Sequence, residues 1–182
     1  MDGLVTTKKI KKLIKNRGIK NLPTVIALTA NASEELQERC IKNHIRAFLI
    51  TRYAVLRCGE ILSMPLRNVL LEDGVIKITE VPEIDWIPKT RQGRLVPLNP
   101  ELQSFLEEDV RNRKTSEKWL LDDGDGRRSY ASNSQLTQVF RRYVKRAGLE
   151  HPGRKPLHGL RSTGITAMLS AGGKLDFVMR IS

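Results

Sequence analysis

Cysteine, aromatic residues, histidine and acidic residues are all scarce in this chain of 182 residues. Its two cysteines, Cys40 and Cys58, have no metal-type spacing. That argues against both a disulfide framework and a zinc module and fits a reducing interior. Aromatics make up only 5%, which gives poor support to a stacking platform for single-stranded nucleic acid. No apolar run approaches the roughly 20 residues that a membrane-spanning helix needs, and no secretory signal pattern opens the chain. Acids number 20 against 32 lysines and arginines, a formal net charge of +12. Such a field favours a polyanion, most simply nucleic acid, and suits a grip on duplex backbone. A hydrophobic content of 40% excludes a disordered polyampholyte and suits one domain with a real core.

Residues 1–24 read as a basic arm or the remnant of an interdomain linker. Lys8, Lys9, Lys11, Lys12, Lys15, Arg17 and Lys20 face a single acid, Asp2, and Pro23 closes the stretch. A solvated tail and a segment lying on phosphates are both open readings. A capping box, Asn31 with Glu34, predicts the first helix, on which Ile41, Ile45, Phe48 and Leu49 make an apolar face. A second helix is expected after Arg57, through Leu62, ending near Pro65. "VLLEDGVIKIT" reads as a hairpin about Asp73-Gly74. "WIPKTRQGRLVPL" reads as another, with Lys89 to Gly93 at its turn and Pro88 and Pro97 at a sheet edge.

Helices then return. Asn99-Pro100 caps one with Leu102, Phe105, Leu106 and Val110 on its apolar face. "LLDDGDGRRS" reads as a turn, because the glutamate that would close a calcium loop is missing. Residues 133–147 predict a helix with Leu136, Val139, Phe140 and Tyr143 inward, ended by Gly148. Its other face carries Arg141, Arg142, Lys145 and Arg146. A helix at His158 and a shorter one from Leu175 complete an α+β pattern, mostly helical, with a small antiparallel sheet.

Three segments carry chemistry. In "LHGLRSTGITAML", His158 and Arg161 are three apart on one helical face. Pro156 marks a helix start, where backbone N–H groups and the dipole favour an anion. Arginine offers a planar fork matched to phosphate oxygens, and histidine exchanges a proton near neutrality. A plain surface pair is the other reading. A metal there is disfavoured, since only His44 and His151 remain as partners and Arg161 would repel the ion. In "YAVLRCGEILSMPL", Arg57 is embedded in apolar sequence, which is expensive unless it is paired or holds an anion. Glu60 is placed to buttress it, or simply to form a structural ion pair. In "PKTRQGRLVPL", Lys89 sits where a hairpin tip would reach into a site, or remains solvated.

Taken in order, these segments resemble the tyrosine recombinase family, the phage-integrase type of site-specific recombinase, over roughly residues 25–182. "LRCGEILSM" is similar to its first arginine box, "KTRQGRLVPL" to its lysine hairpin and "HGLRSTGITAML" to its second arginine box. The resemblance implies cleavage of duplex DNA by a tyrosine hydroxyl through a 3′-phosphotyrosyl link, followed by rejoining, with no metal and no nucleotide cofactor. It implies that Arg57 and Arg161 clamp non-bridging oxygens, Lys89 protonates the leaving 5′-oxygen, His158 assists proton transfer and Glu60 fixes Arg57. It implies DNA contacts for Arg91, Arg94, Arg141, Arg142, Lys145 and Arg146. It also implies self-association into a tetramer on paired DNA sites, with no membrane, in the cytoplasm at the nucleoid, for a protein of prokaryotic or viral/mobile-element origin. Gly159 stands where the family usually has an acidic or polar residue, and Ser162 where it often has histidine.

The family's nucleophile lies further beyond the second arginine than this sequence reaches. Tyr53, Tyr130 and Tyr143 all precede His158, so the resemblance implies a catalytic domain lacking its tyrosine segment and inactive alone. A fragment, a natural truncation and a tyrosine supplied by a neighbouring subunit are the open explanations. A non-catalytic DNA-binding relic and a basic RNA-associated protein are the rival functions.

Overall fold

The computed structural model describes residues 34–149 and 155–182. The expected arm, the Asn31 cap and His151 lie outside the described residues. Six α-helices and one three-stranded antiparallel sheet are found among those described: α1 (Glu34–Tyr53), α2 (Cys58–Leu62), β1 (Val69–Leu70), β2 (Val75–Ile78), β3 (Arg94–Pro97), α3 (Pro100–Arg111), α4 (Asn133–Arg146), α5 (Pro156–Ser170) and α6 (Leu175–Ile181). The sheet order is β1-β2-β3.

The first hairpin forms as the sequence predicts. Val69 pairs with Ile76 and Leu70 with Val75, and Gly74 takes the left-handed conformation at φ +63 that the turn requires. The second hairpin is corrected. Trp86 to Pro88 form no strand against β3. Trp86 instead bridges Val81, and β3 pairs along β2, Ile78 opposite Arg94 and Val75 opposite Pro97. Pro88 has no N–H for a ladder, so the connection from β2 to β3 is a long loop. Lys89 lies in a turn closed by the Arg91 N–H on the Pro88 carbonyl at 2.8 Å. Pro97 does lie on an edge strand, as expected.

On α1 most of the expected apolar face is turned outward: Ile41, Ile45 and Phe48 are 36–46% exposed, while Leu49 is half-buried against the core as expected. The buried face carries Asn43, Arg46, Ala47, Ile50 and Thr51. Distant partners make this possible. Arg46 lays a two-pronged ion pair on Asp109 of α3 at 2.6–2.8 Å, and Asn43 donates to the Asp122 carbonyl at 2.8 Å and to Ser129. Satisfied in this way, buried polar groups are tolerated.

Asn99 caps α3 by accepting from the Leu102 N–H at 2.8 Å, and Leu102 and Leu106 are buried, with Val110 at the rim. The α4 helix buries Leu136, Val139 and Phe140, and Gly148 leaves it at φ +67. The "LLDDGDGRRS" segment is a turn built on Asp122, fully buried. Its carboxylate accepts from the N–H groups of Lys118, Trp119, Gly124 and Gly126 at 2.6–3.1 Å.

Gly164 decides how α5 meets α1. A Cβ there would lie 2.3 Å from the Arg52 carbonyl oxygen and 2.7 Å from a Val55 methyl. Only a bare backbone lets α5 come this close, and that approach brings Arg161, one turn earlier, onto the end of α1.

Candidate functional site

The site is built where the end of α1, the start of α2, the edge of β3 and the inner face of α5 meet. Chain direction changes sharply after α1: Val55 sits at φ +48, a left-handed conformation costly for a β-branched residue. Its carbonyl accepts from Arg161 Nε at 2.7 Å, so an arginine of the site holds the strained turn.

Arg57 caps α2. Its N–H donates to Glu60 Oε2 at 2.8 Å and its guanidinium to Glu60 Oε1 at 3.2 Å. Arg94 grips the same carboxylate from β3 with two donors, at 2.9 and 2.8 Å. Glu60 is only 2% exposed. Burial alone would raise its pKa, but hydrogen bonds from Arg94 and from the Arg57 N–H, with the adjoining charges, hold it below the usual glutamate range.

Arg161 is half-buried, and its pKa is lowered first by burial and then by the like charge of Arg57, with a further contribution from Arg94. Glu60 pairs with Arg57 and Arg94, while Arg161 donates from Nε to the Val55 carbonyl and from Nη2 to the Ser182 oxygen, so three guanidiniums stand near a single carboxylate. That excess of positive charge in a partly desolvated place is what a phosphate relieves, and the planar forks suit its oxygens.

The structure thus brings together Arg57, Glu60, Arg94 and Arg161. His158 lies one turn before Arg161 but on the exposed side of α5. There it lines an open groove of about 800 Å³ with Lys155, Gly159, Ser162, Thr163, Thr166 and Ala167. Lys89 is exposed and makes no hydrogen bond or ion pair among the described residues. The start of its loop packs beside α2. The Trp86 indole Nε1 is 3.8 Å from the position a Cβ would take on Gly59, in the first turn of α2.

Arg91 is exposed in the same loop. Arg94, expected among the DNA contacts, is turned inward, 13% exposed, with donors taken by Glu60 and the Ile181 carbonyl. Arg141, Arg142, Lys145 and Arg146 form one exposed basic face of α4.

The phenols are placed elsewhere. Tyr143 Oη is hydrogen-bonded to His44 Nδ1 at 2.8 Å, Tyr130 packs against the same ring, and Tyr53 lies beside Glu101. All three have raised pKa values, Tyr130 and Tyr143 chiefly by burial and Tyr53 by Glu101. Burial also pushes the Cys58 thiol, next to Arg57, up to about 11, so it is not a thiolate at neutral pH.

Sequence reading missed Gly164, Val55 and the inward role of Arg94. A glycine inside a helical run is itself a signal of close approach. Arg94 shares a strand face with Val96, which is fully buried, so period-two alternation pointed it inward. Nothing local signals the turn at Val55.

A mostly helical α+β domain with a small antiparallel sheet, on which Arg57 is buttressed by Glu60, is the architecture of a tyrosine-recombinase-type catalytic domain. The model of the phage integrase family matches residues 18–182, and the chain belongs to that family. Similar solved structures include the Tn1549 transposon integrase in complex with transposon right end DNA (19% identity, TM-score 0.61, 91% of this chain and 60% of that one). XerA recombinase (21%, 0.59, 96% and 64%) and the integrase from mycobacterium phage Brujita (15%, 0.57, 96% and 58%) are two more. At these identities they show a shared fold. The chain spans about three fifths of their length. No curated protein matches the chain. Among the described residues no helix is long and apolar enough to cross a membrane.

Proposed function

We propose that this chain carries the phosphate-activating half of a site-specific recombinase, which breaks and rejoins duplex DNA. The observation that carries the reading is the convergence of Arg57 and Arg161 on one place, each braced from behind. Arg57 is braced by Glu60 and Arg161 by the Val55 carbonyl. Donors fixed before substrate arrives stabilise the charge that builds on the non-bridging oxygens as a phosphodiester becomes five-coordinate.

In the full reaction a tyrosine oxygen attacks phosphorus and the bond to the 5′-oxygen breaks. The phosphate remains on the tyrosine as a 3′ ester. The departing oxygen takes a proton, from Lys89 in this reading, while His158 assists proton transfer from the groove beside Arg161. A free 5′-hydroxyl then attacks the link and reverses the step on a second strand, so bond energy is conserved.

Tyr53, Tyr130 and Tyr143 are not the nucleophile in this reading, since their phenols are engaged with Glu101 and around His44. The attacking tyrosine is then none of the three in this sequence, and is supplied by a residue not among these 182 or by another subunit. The basic face of α4, with Arg91, lies on duplex backbone, and copies assemble on paired DNA sites in the cytoplasm. A pure DNA-binding role is the second reading, favoured by the same placement of the phenols.

The test uses a thymidine 3′-(4-nitrophenyl phosphate) probe with tyramine as an added phenol. Nitrophenolate leaves without an acid, so the assay bypasses Lys89 and needs no target sequence. Phenol-dependent release by the chain, lost in Arg57→Ala and Arg161→Ala, is expected. Duplex binding without any release would favour the pure binding role.

A further inference from the structure

Arg94 has no assigned task. It is an arginine, 13% exposed, added to a cluster that already holds two others and only one carboxylate. Its charge works against the cluster, since it adds to the repulsion felt by Arg161. Nor is it free to bind phosphate. Nη1 and Nη2 are on Glu60 at 2.9 and 2.8 Å, and Nε is on the Ile181 carbonyl at 3.1 Å. A buried side chain held on three donors acts through geometry.

That geometry has two ends. At one end Arg94 fixes both oxygens of Glu60, the same two that take the N–H and the guanidinium of Arg57. The fork of Arg94, with the Arg57 N–H, sets the orientation of the carboxylate, and so the position of the oxygen that the Arg57 guanidinium meets at 3.2 Å. At the other end Arg94 holds the last turn of α6, where Arg161 Nη2 also donates to the Ser182 backbone oxygen at 2.6 Å. Ile181 and Ser182 are thus held by Arg94, which also touches Glu60, and by Arg161.

We propose that Arg94 is a positioning residue that ties the seating of α6 to the orientation of Arg57, so the arginine pair is assembled only while α6 is docked. This rests on the recombinase reading for its consequence in catalysis, but the coupling itself is a property of the fold. Restoring charge without the fork cannot replace it: a lysine at this position reaches one oxygen at a time.

The test compares Arg94→Gln and Arg94→Lys with Lys77→Gln, an exposed control on β2, in the whole 182-residue chain. The first readout needs no activity. Nε–Hε relaxation by NMR should show Arg57 rigid in the parent and mobile in both Arg94 variants. Amide exchange of Val178 to Ser182 should quicken with it, while the control changes neither. The second readout is the nitrophenyl probe with tyramine. Release should fall about 10- to 100-fold in Arg94→Gln, the scale of a misplaced catalytic group. Affinity for duplex DNA and its salt dependence should stay unchanged. Adding Arg94→Gln to Arg57→Ala should cost nothing more.

A folded Arg94 variant with Arg57 still rigid overturns the inference, as does a drop in DNA salt slope, which would put Arg94 on a phosphate. If Arg94→Gln does not fold, the Arg94→Lys spectra decide. Mobility of Arg57 in a chain that shows no release at all would leave the coupling standing and overturn the recombinase reading instead.

Discussion

Replacing Glu60 by glutamine isolates the charge that the arginine cluster depends on. The carboxylate accepts four hydrogen bonds at 2.8–3.2 Å, two from Arg57 and two from Arg94. A glutamine keeps one acceptor oxygen and turns an N–H₂ toward donors, so about half of these hydrogen bonds become donor against donor. Removing one partner of a buried ion pair costs about 3–5 kcal/mol. Arg57 is 32% exposed, so water recovers part of its loss, and the lower end, about 3 kcal/mol, is the expectation. With a urea slope of about 2 kcal/mol per molar for a domain of this size, the midpoint at pH 7 should fall by about 1.5 M. The pH dependence has a definite sign. Glu60 has a folded pKa below its ordinary value, so its contribution is full above the ordinary glutamate pKa and is lost as pH falls through the depressed one. The gap between Glu60→Gln and the parent should therefore close in acid. A midpoint shift under about 0.3 M at pH 7, or one that persists unchanged at acid pH, would refute the reasoning.

Four further outcomes are expected. Gly164→Ala forces a methyl into the Arg52 carbonyl and Val55 and should lower stability by about 1–3 kcal/mol, seen as a lower Tm, with release from the nitrophenyl probe falling as Arg161 is pushed off Val55. His44 has its pKa lowered to about 4, chiefly by burial and then by Arg142. Its stabilisation is full above pH 6.5 and lost on descent toward pH 4. Partial exposure reduces the expected effect to about 1–2 kcal/mol, and His44→Gln should flatten the urea midpoint across that window. Duplex binding should weaken steeply with salt, and neutralising Arg141, Arg142, Lys145 and Arg146 should reduce the slope by about 0.9 for each phosphate that is no longer neutralised, measured by fluorescence anisotropy. Incubation of the chain with a nicked duplex should give no covalent band on a denaturing gel, and a shifted band removed by mutating Tyr53, Tyr130 or Tyr143 would overturn the placement of the phenols.

What the sequence made legible was local chemistry. Asp73-Gly74 dictates its turn, Asn99-Pro100 its cap, and the spacing of Leu136, Val139 and Phe140 its buried stripe. Arg57 with Glu60 was legible because the pair lies within one turn of helix. Pairings across the chain were hidden. The inner face of α1 reads as polar because Arg46 is matched to Asp109 and Asn43 to Asp122 and Ser129, all remote in sequence. The partner of β3 was misread as the adjacent Trp86–Pro88 run because strand pairing is non-local, and Pro88 has no N–H to give a ladder. The site followed the same division: its two arginines were readable from their motifs, while Val55 and Gly164, which bring the motifs together, are backbone effects with little signature.

The central claim is that Arg57 and Arg161 hold one phosphate between them. A crystal structure of the chain with a short DNA duplex tests it most directly. The account expects a single phosphate with non-bridging oxygens in hydrogen-bond reach of both guanidiniums, and Glu60 and Arg94 unmoved behind them. Phosphates lying only along the basic face of α4, or on Arg57 and Arg161 separately, would contradict it.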